Sequence, residues 1–345
     1  MVSEKQGNEH LKGRRWMPWL NLLLVVILVG LGVWYLSGKV SLGEIVMALR
    51  LAHPLPIVLG VGIMLVTVLI KAWRWQLMFS GPGQQPSFLD AFWALMLGQY
   101  VNLIVPVLRL GEVARIYALN RQTTIPMARS IGTLVVEKVL DLLMLVLTLA
   151  ILLPFVILPE FVGEPGPMLW LIPLAALLVL YLMAFETDKI TSLLQSIARR
   201  LPDNWLQRPF QWMISGLDGL AALRSGRSSL LLVLLSAVIA LLAVLLPYVL
   251  FGAFDFSLTF VQAALLNVIV TIAITPPSTP GKIGVFNGAV AILLYSFDAG
   301  SDAAIIGYSI VFHLVVVVPQ ILLGSIAAVK TDWHWDGLLD KQAAS

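Results

Sequence analysis

The sequence predicts an all-α polytopic membrane protein with about six spans and two re-entrant hairpins, arranged as an inverted repeat. Of its 345 residues, 59% are hydrophobic and only 12% are charged, whereas soluble domains carry roughly 25% charged residues. The apolar runs are about 17–25 residues long, which is the length that a helix needs to cross a bilayer. A cluster of proline and glycine interrupts one apolar region and Pro106 ends another, and a continuous helix does not tolerate such a cluster.

The first half of the chain contains three span-length apolar runs, at residues 16–36, 54–72 and 130–153. Residues 37–53 are predicted to form a loop, and residues 76–87 a turn. Between the second and third runs lies a segment, 88–120, that is apolar as far as Pro106 and charged beyond it. Its second part is too charged to face lipid, because charged groups in hydrocarbon are costly.

The second half contains three further runs, at residues 168–185, 229–251 and 302–329. Residues 186–228 are polar and basic, and amphipathic surface helices fit there. Residues 258–297 are apolar at both ends but contain a break, in which Pro276, Pro277 and Pro280 precede Gly281. A helix cannot run through that cluster.

The distribution of Lys and Arg predicts the orientation. Basic loops stay on the cytoplasmic side, which here concerns Arg74, Arg109, Arg115, Arg121 and Arg129. All five are cytoplasmic only if residues 88–120 form a hairpin that enters and leaves from the inside. Residues 258–297 then form a hairpin that enters from outside, and both termini (1–15 and 331–345) are cytoplasmic. The alternative is eight full spans with proline kinks, which places three of these arginines outside.

The hairpin assignment divides the chain into two similar halves of opposite orientation. Residues 16–158 would form the first repeat and residues 159–330 the second, with the loop 186–228 on the cytoplasmic side. Inverted repeats with interrupted helices are typical of transporters, and the interruptions indicate the substrate site. The sequence therefore predicts a multi-pass transporter of the plasma (inner) membrane.

The two hairpin tips are the predicted site. A helix that starts at about Gly281 directs free N–H groups and the positive end of its dipole at the break. Lys282 adds a full charge, so an anion such as phosphate fits there. The alternative is that Lys282 extends to the outer surface from a shallow loop. Arg109 lies at the equivalent tip of the inner hairpin and can bind phosphate oxygens through two nitrogens.

Carboxylates in the third run form a second candidate group. Glu137 and Asp141 lie four residues apart, on one face of a helix. They either form structural ion pairs with Arg109 and Arg115, or carry protons or bind a cation. Glu112 and Arg115 are three residues apart and are expected to form an intrahelical pair.

Two further polar positions are open to more than one interpretation. Asn102 and Gln99, near the inner tip, could satisfy backbone groups freed by the break or could contact substrate. His313 in the last run is either a hydrogen-bonded core residue or a proton carrier.

Several classes of function are not supported by the sequence. The chain has no cysteine, which excludes disulfides and thiolate ligands, and its four histidines are scattered. No metal site, cofactor or catalytic residue is predicted. The "PGKIG" stretch does not satisfy the nucleotide-binding P-loop pattern, and the net charge of +3 gives no indication of nucleic-acid binding. We expect no enzymatic activity.

Three motifs together carry a family resemblance: "NLIVPVLRLGEVARIYAL", "TLVVEKVLDLLML" and "TPPSTPGKIGVFNGA". In order and spacing they resemble the flippase-like membrane domain that forms the lipid-translocating half of lysylphosphatidylglycerol synthases and also occurs alone. Lys138 stands where the family has arginine, and Asn287 stands where it usually has an acid. The resemblance covers nearly the whole chain, and the soluble aminoacyl transferase domain is not expected.

The resemblance implies lipid translocation. The expected substrate is an anionic phospholipid or a prenyl-phosphate-linked lipid, bound by residues at the hairpin tips, which are Asn102, Arg109, Glu112, Arg115, Glu137, Asp141, Gly281, Lys282 and Asn287. A second copy of the chain or a lipid-modifying enzyme is the expected kind of protein partner. The competing hypotheses are a secondary transporter of a soluble anion, a membrane-embedded glycosyl or phosphoryl transferase that acts on a lipid carrier, and a scaffold for a lipid-modifying enzyme that transports nothing.

Overall fold

The structure, a computed structural model, describes residues 42–79, 85–105, 110–152, 226–276 and 279–331, together with the isolated positions Phe155, Ser192, Gln195, Ser196 and Trp333. The helices of this part are α1 (Leu42–Leu51), α2 (Pro54–Leu77), α3 (Phe88–Ile104), α4 (Leu110–Gln122), α5 (Met127–Leu152), α6 (Gly226–Phe251), α7 (Phe260–Ala273), α8 (Val285–Ser296) and α9 (Asp302–Lys330). A 3₁₀ turn, Pro280–Lys282, precedes α8.

Three described helices are long and apolar enough to cross a membrane: Pro54–Leu77, Ser229–Phe251 within α6, and Asp302–Lys330. They confirm three of the predicted spans. Helix α5, with 26 residues, is as long as these and matches the predicted run 130–153. The chain is thus a helical membrane protein, and the predicted runs 16–36 and 168–185 lie outside the described residues.

Helices α3 and α4 form a hairpin at the predicted place. With 17 and 13 residues, they extend about 26 and 20 Å, which is less than the bilayer's hydrocarbon thickness of about 30 Å. The two helices lie so close that a methyl group on Gly111 would collide with the Gly98 carbonyl and the Asn102 amide. Helix α3 ends at Ile104, and Leu110, where α4 begins, is the next described residue after Val105.

Helices α7 and α8 flank the second break, where one prediction was wrong. Helix α8 begins at Val285, not at about Gly281. Gly281, Lys282 and Gly284 all have positive φ angles, of 65°, 59° and 85°. A left-handed backbone cannot continue into a right-handed helix, so the helix starts only after Gly284.

A second correction concerns residues 37–53, which were predicted to be a loop. The structure has helix α1 at Leu42–Leu51. This helix packs against α9, where Ala48 lies next to Gly307 and Leu49 packs on the hydrophobic core. Tertiary contacts of this kind are not visible in local sequence.

The interior has two hydrophobic clusters that α9 connects. One is built mainly from α2, α3 and α4, and the other from α6, α7, α8 and the first half of α9. Helix α2 also packs along α6, and α3 contacts the turn Pro280–Lys282. Helix α3 of the first hairpin therefore lies against the second break.

Candidate functional site

A cavity of about 410 Å³ lies between the two hairpins. Every helix from α2 to α9 contributes to its wall, together with Lys282 of the turn. Its polar and charged lining residues are Thr67, Lys71, Gln99, Asn102, Glu112, Arg115, Glu137, Lys138, Asp141, Asn267, Thr271, Lys282 and Gln320. We call it the charged cavity.

The charged cavity brings together most of the residues predicted from the sequence. Six of the nine line it, namely Asn102, Glu112, Arg115, Glu137, Asp141 and Lys282. Gly281 and Asn287 are not part of the lining, and Arg109 lies outside the described residues. Among the described residues, no group of three His, Asp or Glu side chains is placed to hold a metal ion.

Arg115 and Glu137 form a buried ion pair that joins α4 to α5. The two guanidinium nitrogens of Arg115 lie 3.1 and 2.9 Å from the two carboxylate oxygens of Glu137. The guanidinium also stacks 3.6 Å from the ring centre of Trp75, whose indole N–H donates to Thr133 at 3.0 Å. Arg115 is held between Glu137 and Trp75 where it lines the cavity. The pair is the structural ion pair that was one of the alternatives predicted for Glu137.

Asp141 pairs with Arg74, which was predicted to lie on the cytoplasmic side. Its Oδ1 accepts from Nη2 of Arg74 at 2.7 Å, and Nη1 of Arg74 donates to Ser236 at 2.9 Å. Arg74 is buried. The arginine thereby ties α2 to both α5 and α6.

Asn102 caps the second arm of the first hairpin. Its Oδ1 accepts from the backbone N–H of Gly111 at 2.8 Å, and its Nδ2 donates to Glu112 at 3.0 Å. The first N–H groups of a helix have no intrahelical acceptor, and Asn102 supplies one, which is the structural role considered for it. Glu112 makes a further contact with Lys138 at 3.5 Å, so its partner is Lys138 and not the expected Arg115.

A hydrogen-bonded chain behind the cavity holds the second break in place. His313 Nε2 lies 2.8 Å from the Gly281 carbonyl, and His313 Nδ1 lies 3.0 Å from Oδ1 of Asn287. Asn287 Nδ2 in turn donates to the Ser309 carbonyl at 3.0 Å. The imidazole also stacks on Phe286. Gly281 and Asn287 thus support the turn from which Lys282 reaches the cavity.

The backbone at Lys282 is strained. Its φ of 59° is in the left-handed region, which costs a residue with a Cβ about 1–2 kcal/mol. Such strain is found most often at binding and catalytic sites. The turn that imposes it also directs the side chain into the charged cavity.

A second, apolar depression of about 340 Å³ adjoins the cavity on the α5 side. It is lined by Glu112, Ile131, Leu134, Val135, Lys138, Val139 and Leu142. We call it the apolar groove. Glu112 and Lys138 belong to both linings, so this ion pair stands where the groove meets the charged cavity.

Several residues of the cavity wall were not predicted from the sequence. Lys71 lies at the end of the predicted run 54–72, and no role was predicted for Asn267, Thr271 or Gln320. A signal was present, because Asn267 and Thr271 lie four residues apart in an otherwise apolar helix and so share a face. Polar residues within a membrane span are expensive and usually face the protein interior.

The fold and the site define a helical membrane protein in which two interrupted hairpins enclose a charged cavity. Residues 20–324 match the model of the family described as the lysylphosphatidylglycerol synthase TM region, and the chain belongs to this family. The resemblance found in the three motifs is confirmed.

Two archaeal proteins are similar to the chain. It is 22% identical over 305 residues to a UPF0104 membrane protein of Methanothermobacter thermautotrophicus, with 84% of this chain and 90% of that protein covered. It is 27% identical over 119 residues to the UPF0104 membrane protein MJ1595 of Methanocaldococcus jannaschii, with 34% of this chain and 35% of that protein covered. The match therefore spans only about a third of the length of the second relative.

Proposed function

We propose that the chain is a flippase or scramblase that moves a phosphate-containing lipid between the leaflets of the plasma (inner) membrane. The headgroup occupies the charged cavity between the hairpins while an acyl or prenyl tail stays in the apolar groove and the surrounding bilayer. Both termini are cytoplasmic in this proposal. The substrate is an anionic phospholipid or a prenyl-phosphate-linked lipid, and the protein acts as a transporter without catalysing a reaction.

The observation that carries the proposal is the junction of the charged cavity with the apolar groove. The two share Glu112 and Lys138, so the polar and the apolar surface meet at this ion pair. A lipid has the same division, with a charged head and an apolar tail. A carrier of a soluble anion needs the charged cavity but has no use for the groove.

The cavity lowers the main barrier to lipid movement. A charged group that crosses hydrocarbon alone pays several kcal/mol of desolvation. The wall offers ammonium and amide donors from both halves of the chain, including Lys282, Asn102 and Gln320. Donors placed around an anion replace the hydration that it loses. The headgroup then passes through the protein while the tail remains in lipid.

Lipid movement in proteoliposomes tests the proposal. Full-length protein is reconstituted with fluorescent phosphatidylglycerol, phosphatidylcholine or a prenyl phosphate, and a membrane-impermeant quencher reports the fraction that reaches the outer leaflet. We expect the protein to accelerate movement of the anionic lipids at least tenfold over empty vesicles. Lys282→Ala should remove most of this acceleration.

A matched variant distinguishes the loss of the headgroup site from a general loss of positive charge. Lys330, at the end of α9, lies over the ring of Trp93 and is not part of the cavity lining, so Lys330→Ala should keep full activity. If wild-type protein moves no lipid while vesicles take up inorganic phosphate, the chain is an anion carrier and the proposal is wrong. Lipid movement unchanged in Lys282→Ala would contradict the assigned headgroup site.

A further inference from the structure

Lys71 is a basic residue of the charged cavity that forms no direct ion pair with the described carboxylates of the wall. It lies on α2, one turn before Arg74, and lines the cavity. Its ammonium has no hydrogen-bond or ion-pair partner among the residues that the structure describes. The rest of α2 is strongly apolar, as expected of a helix that can cross a membrane.

The carboxylates that could neutralise Lys71 are already paired. Three carboxylates line the described cavity wall, and each has its own cation, as the pairs Arg74–Asp141 at 2.7 Å, Arg115–Glu137 at 2.9 Å and Lys138–Glu112 at 3.5 Å show. Lys71 is a further positive charge beyond these three pairs. The cavity is therefore positive on the α2 side.

A lysine in this place needs an explanation. An ammonium within a membrane helix that forms no direct ion pair costs several kcal/mol. The side chain is directed toward the cavity, which a ligand can enter. A counter-ion that arrives and leaves with the substrate accounts for both the position of Lys71 and the missing partner.

We propose that Lys71 binds the substrate anion and makes the cavity selective for headgroups with a net negative charge. This inference rests on the proposed function and assigns the residue that sets its preference for anionic lipids. A phosphate that carries no ammonium of its own gains the full attraction of Lys71. A zwitterionic or aminoacylated headgroup would bring an extra cation into a cavity whose three carboxylates are occupied, and it should bind less tightly.

A binding measurement tests this without relying on transport. Purified full-length protein in a non-ionic detergent is heated with short-chain phosphatidylglycerol, short-chain phosphatidylcholine or glycerol 3-phosphate. We expect phosphatidylglycerol to raise the Tm of the wild type and phosphatidylcholine to have little effect. Lys71→Gln should weaken phosphatidylglycerol binding about tenfold, whereas Lys71→Arg, which keeps the charge, should retain most of it.

The ligand-free Tm separates a binding role from a structural one. If Lys71 is uncompensated until an anion arrives, Lys71→Gln should melt at the same temperature as the wild type or higher, because a buried charge is gone. If Lys71 instead supports the fold, Lys71→Gln should melt lower and keep the wild-type preference for phosphatidylglycerol, which would overturn the proposal. Lys330→Gln serves as the charge-matched control and should bind like the wild type.

The three ligands also separate this inference from the proposed function. A Tm shift with phosphatidylglycerol alone, lost in Lys71→Gln, supports the inference even if vesicles show no lipid movement. An equal shift with glycerol 3-phosphate, lost in the same variant, supports Lys71 as the anion site but contradicts a lipid as its natural occupant. Equal shifts with phosphatidylglycerol and phosphatidylcholine in the wild type would overturn the inference.

Discussion

The Lys138 ammonium lies 3.5 Å from the Glu112 carboxylate, and this pair stands where the charged cavity meets the apolar groove. The Lys138 side chain is 52% exposed and that of Glu112 is 26% exposed. Exposed ion pairs contribute roughly 0–1 kcal/mol, so this one opens at small cost. The Arg115–Glu137 pair one turn away is buried on both sides and is a fixed support.

Removing one partner of the buried pair should destabilise the protein strongly. In Glu137→Gln the Arg115 guanidinium loses its counter-charge, and breaking a buried pair in this way costs about 3–5 kcal/mol. Arg115→Met should cost a similar amount, because it leaves Glu137 uncompensated. Equilibrium unfolding in mixed micelles measures both changes.

The double variant of Arg115 and Glu137 is the control for that prediction. With both charges gone, no unpaired group remains, so the double variant should be more stable than either single variant. Losses that simply add up would show that the two side chains do not act as a pair.

The close approach of the two arms of the first hairpin makes Gly111 sensitive to substitution. In Gly111→Ala the new methyl group would collide with the Gly98 carbonyl, and backbone atoms cannot move aside as a side chain can. Overpacking of this kind costs about 1–3 kcal/mol. A lowered Tm and faster proteolysis of the hairpin would be the expected results.

Gly62→Ala is the matched control for that substitution. Gly62 lies in α2, and a methyl group there meets no atom within 4 Å. Alanine stabilises a helix interior by up to about 1 kcal/mol over glycine, so this variant should be as stable as the wild type or slightly more so. If Gly111→Ala behaves in the same way, the two arms do not pack as described.

The hydrogen bonds of His313 should matter for the position of Lys282. His313→Phe keeps a ring against Phe286 but removes the contacts to the Gly281 carbonyl and to Asn287. Unsatisfied buried polar groups cost about 1–3 kcal/mol each, so both the Tm and lipid movement in vesicles should fall. Ser309→Ala keeps the carbonyl that accepts from Asn287 at 3.0 Å. It removes a hydroxyl that donates within its own helix and accepts only weakly from Asn287, at 3.5 Å, so it should lower the Tm and lipid movement much less than His313→Phe.

The ends of helices next to proline and glycine could be predicted from the sequence. Helix α3 ends at Ile104, just before Pro106 in the sequence, and α8 begins after Pro280 and the glycines that follow it, because proline and glycine act on the backbone where they stand. Asn102 and Glu112 lie close to Pro106 in the sequence and Glu137 lies on α5, and all three line the charged cavity. The start of α8 was missed because it depends on the φ angles of Gly281 and Lys282, which residue type alone does not determine.

Long-range pairings could not be predicted. Arg74 and Asp141 are separated by 67 positions in the chain, and their contact exists only because α2 and α5 pack together. By position in the sequence, Arg74 and Lys71 belong to the basic end of a span, which is a common arrangement. Only the packed helices show that one is buried in an ion pair and the other faces the cavity.

Closing the junction between the cavity and the groove tests the central claim most directly. The sequence contains no cysteine, so Glu112→Cys and Lys138→Cys can be combined and joined by a short reducible thiol cross-linker in proteoliposomes. The lipid-transport account predicts that cross-linking stops movement of fluorescent phosphatidylglycerol and that reduction restores it, while either single cysteine variant treated in the same way stays active. Unchanged lipid movement in a fully cross-linked sample would contradict the account, because the headgroup would then reach the other leaflet without passing between Glu112 and Lys138.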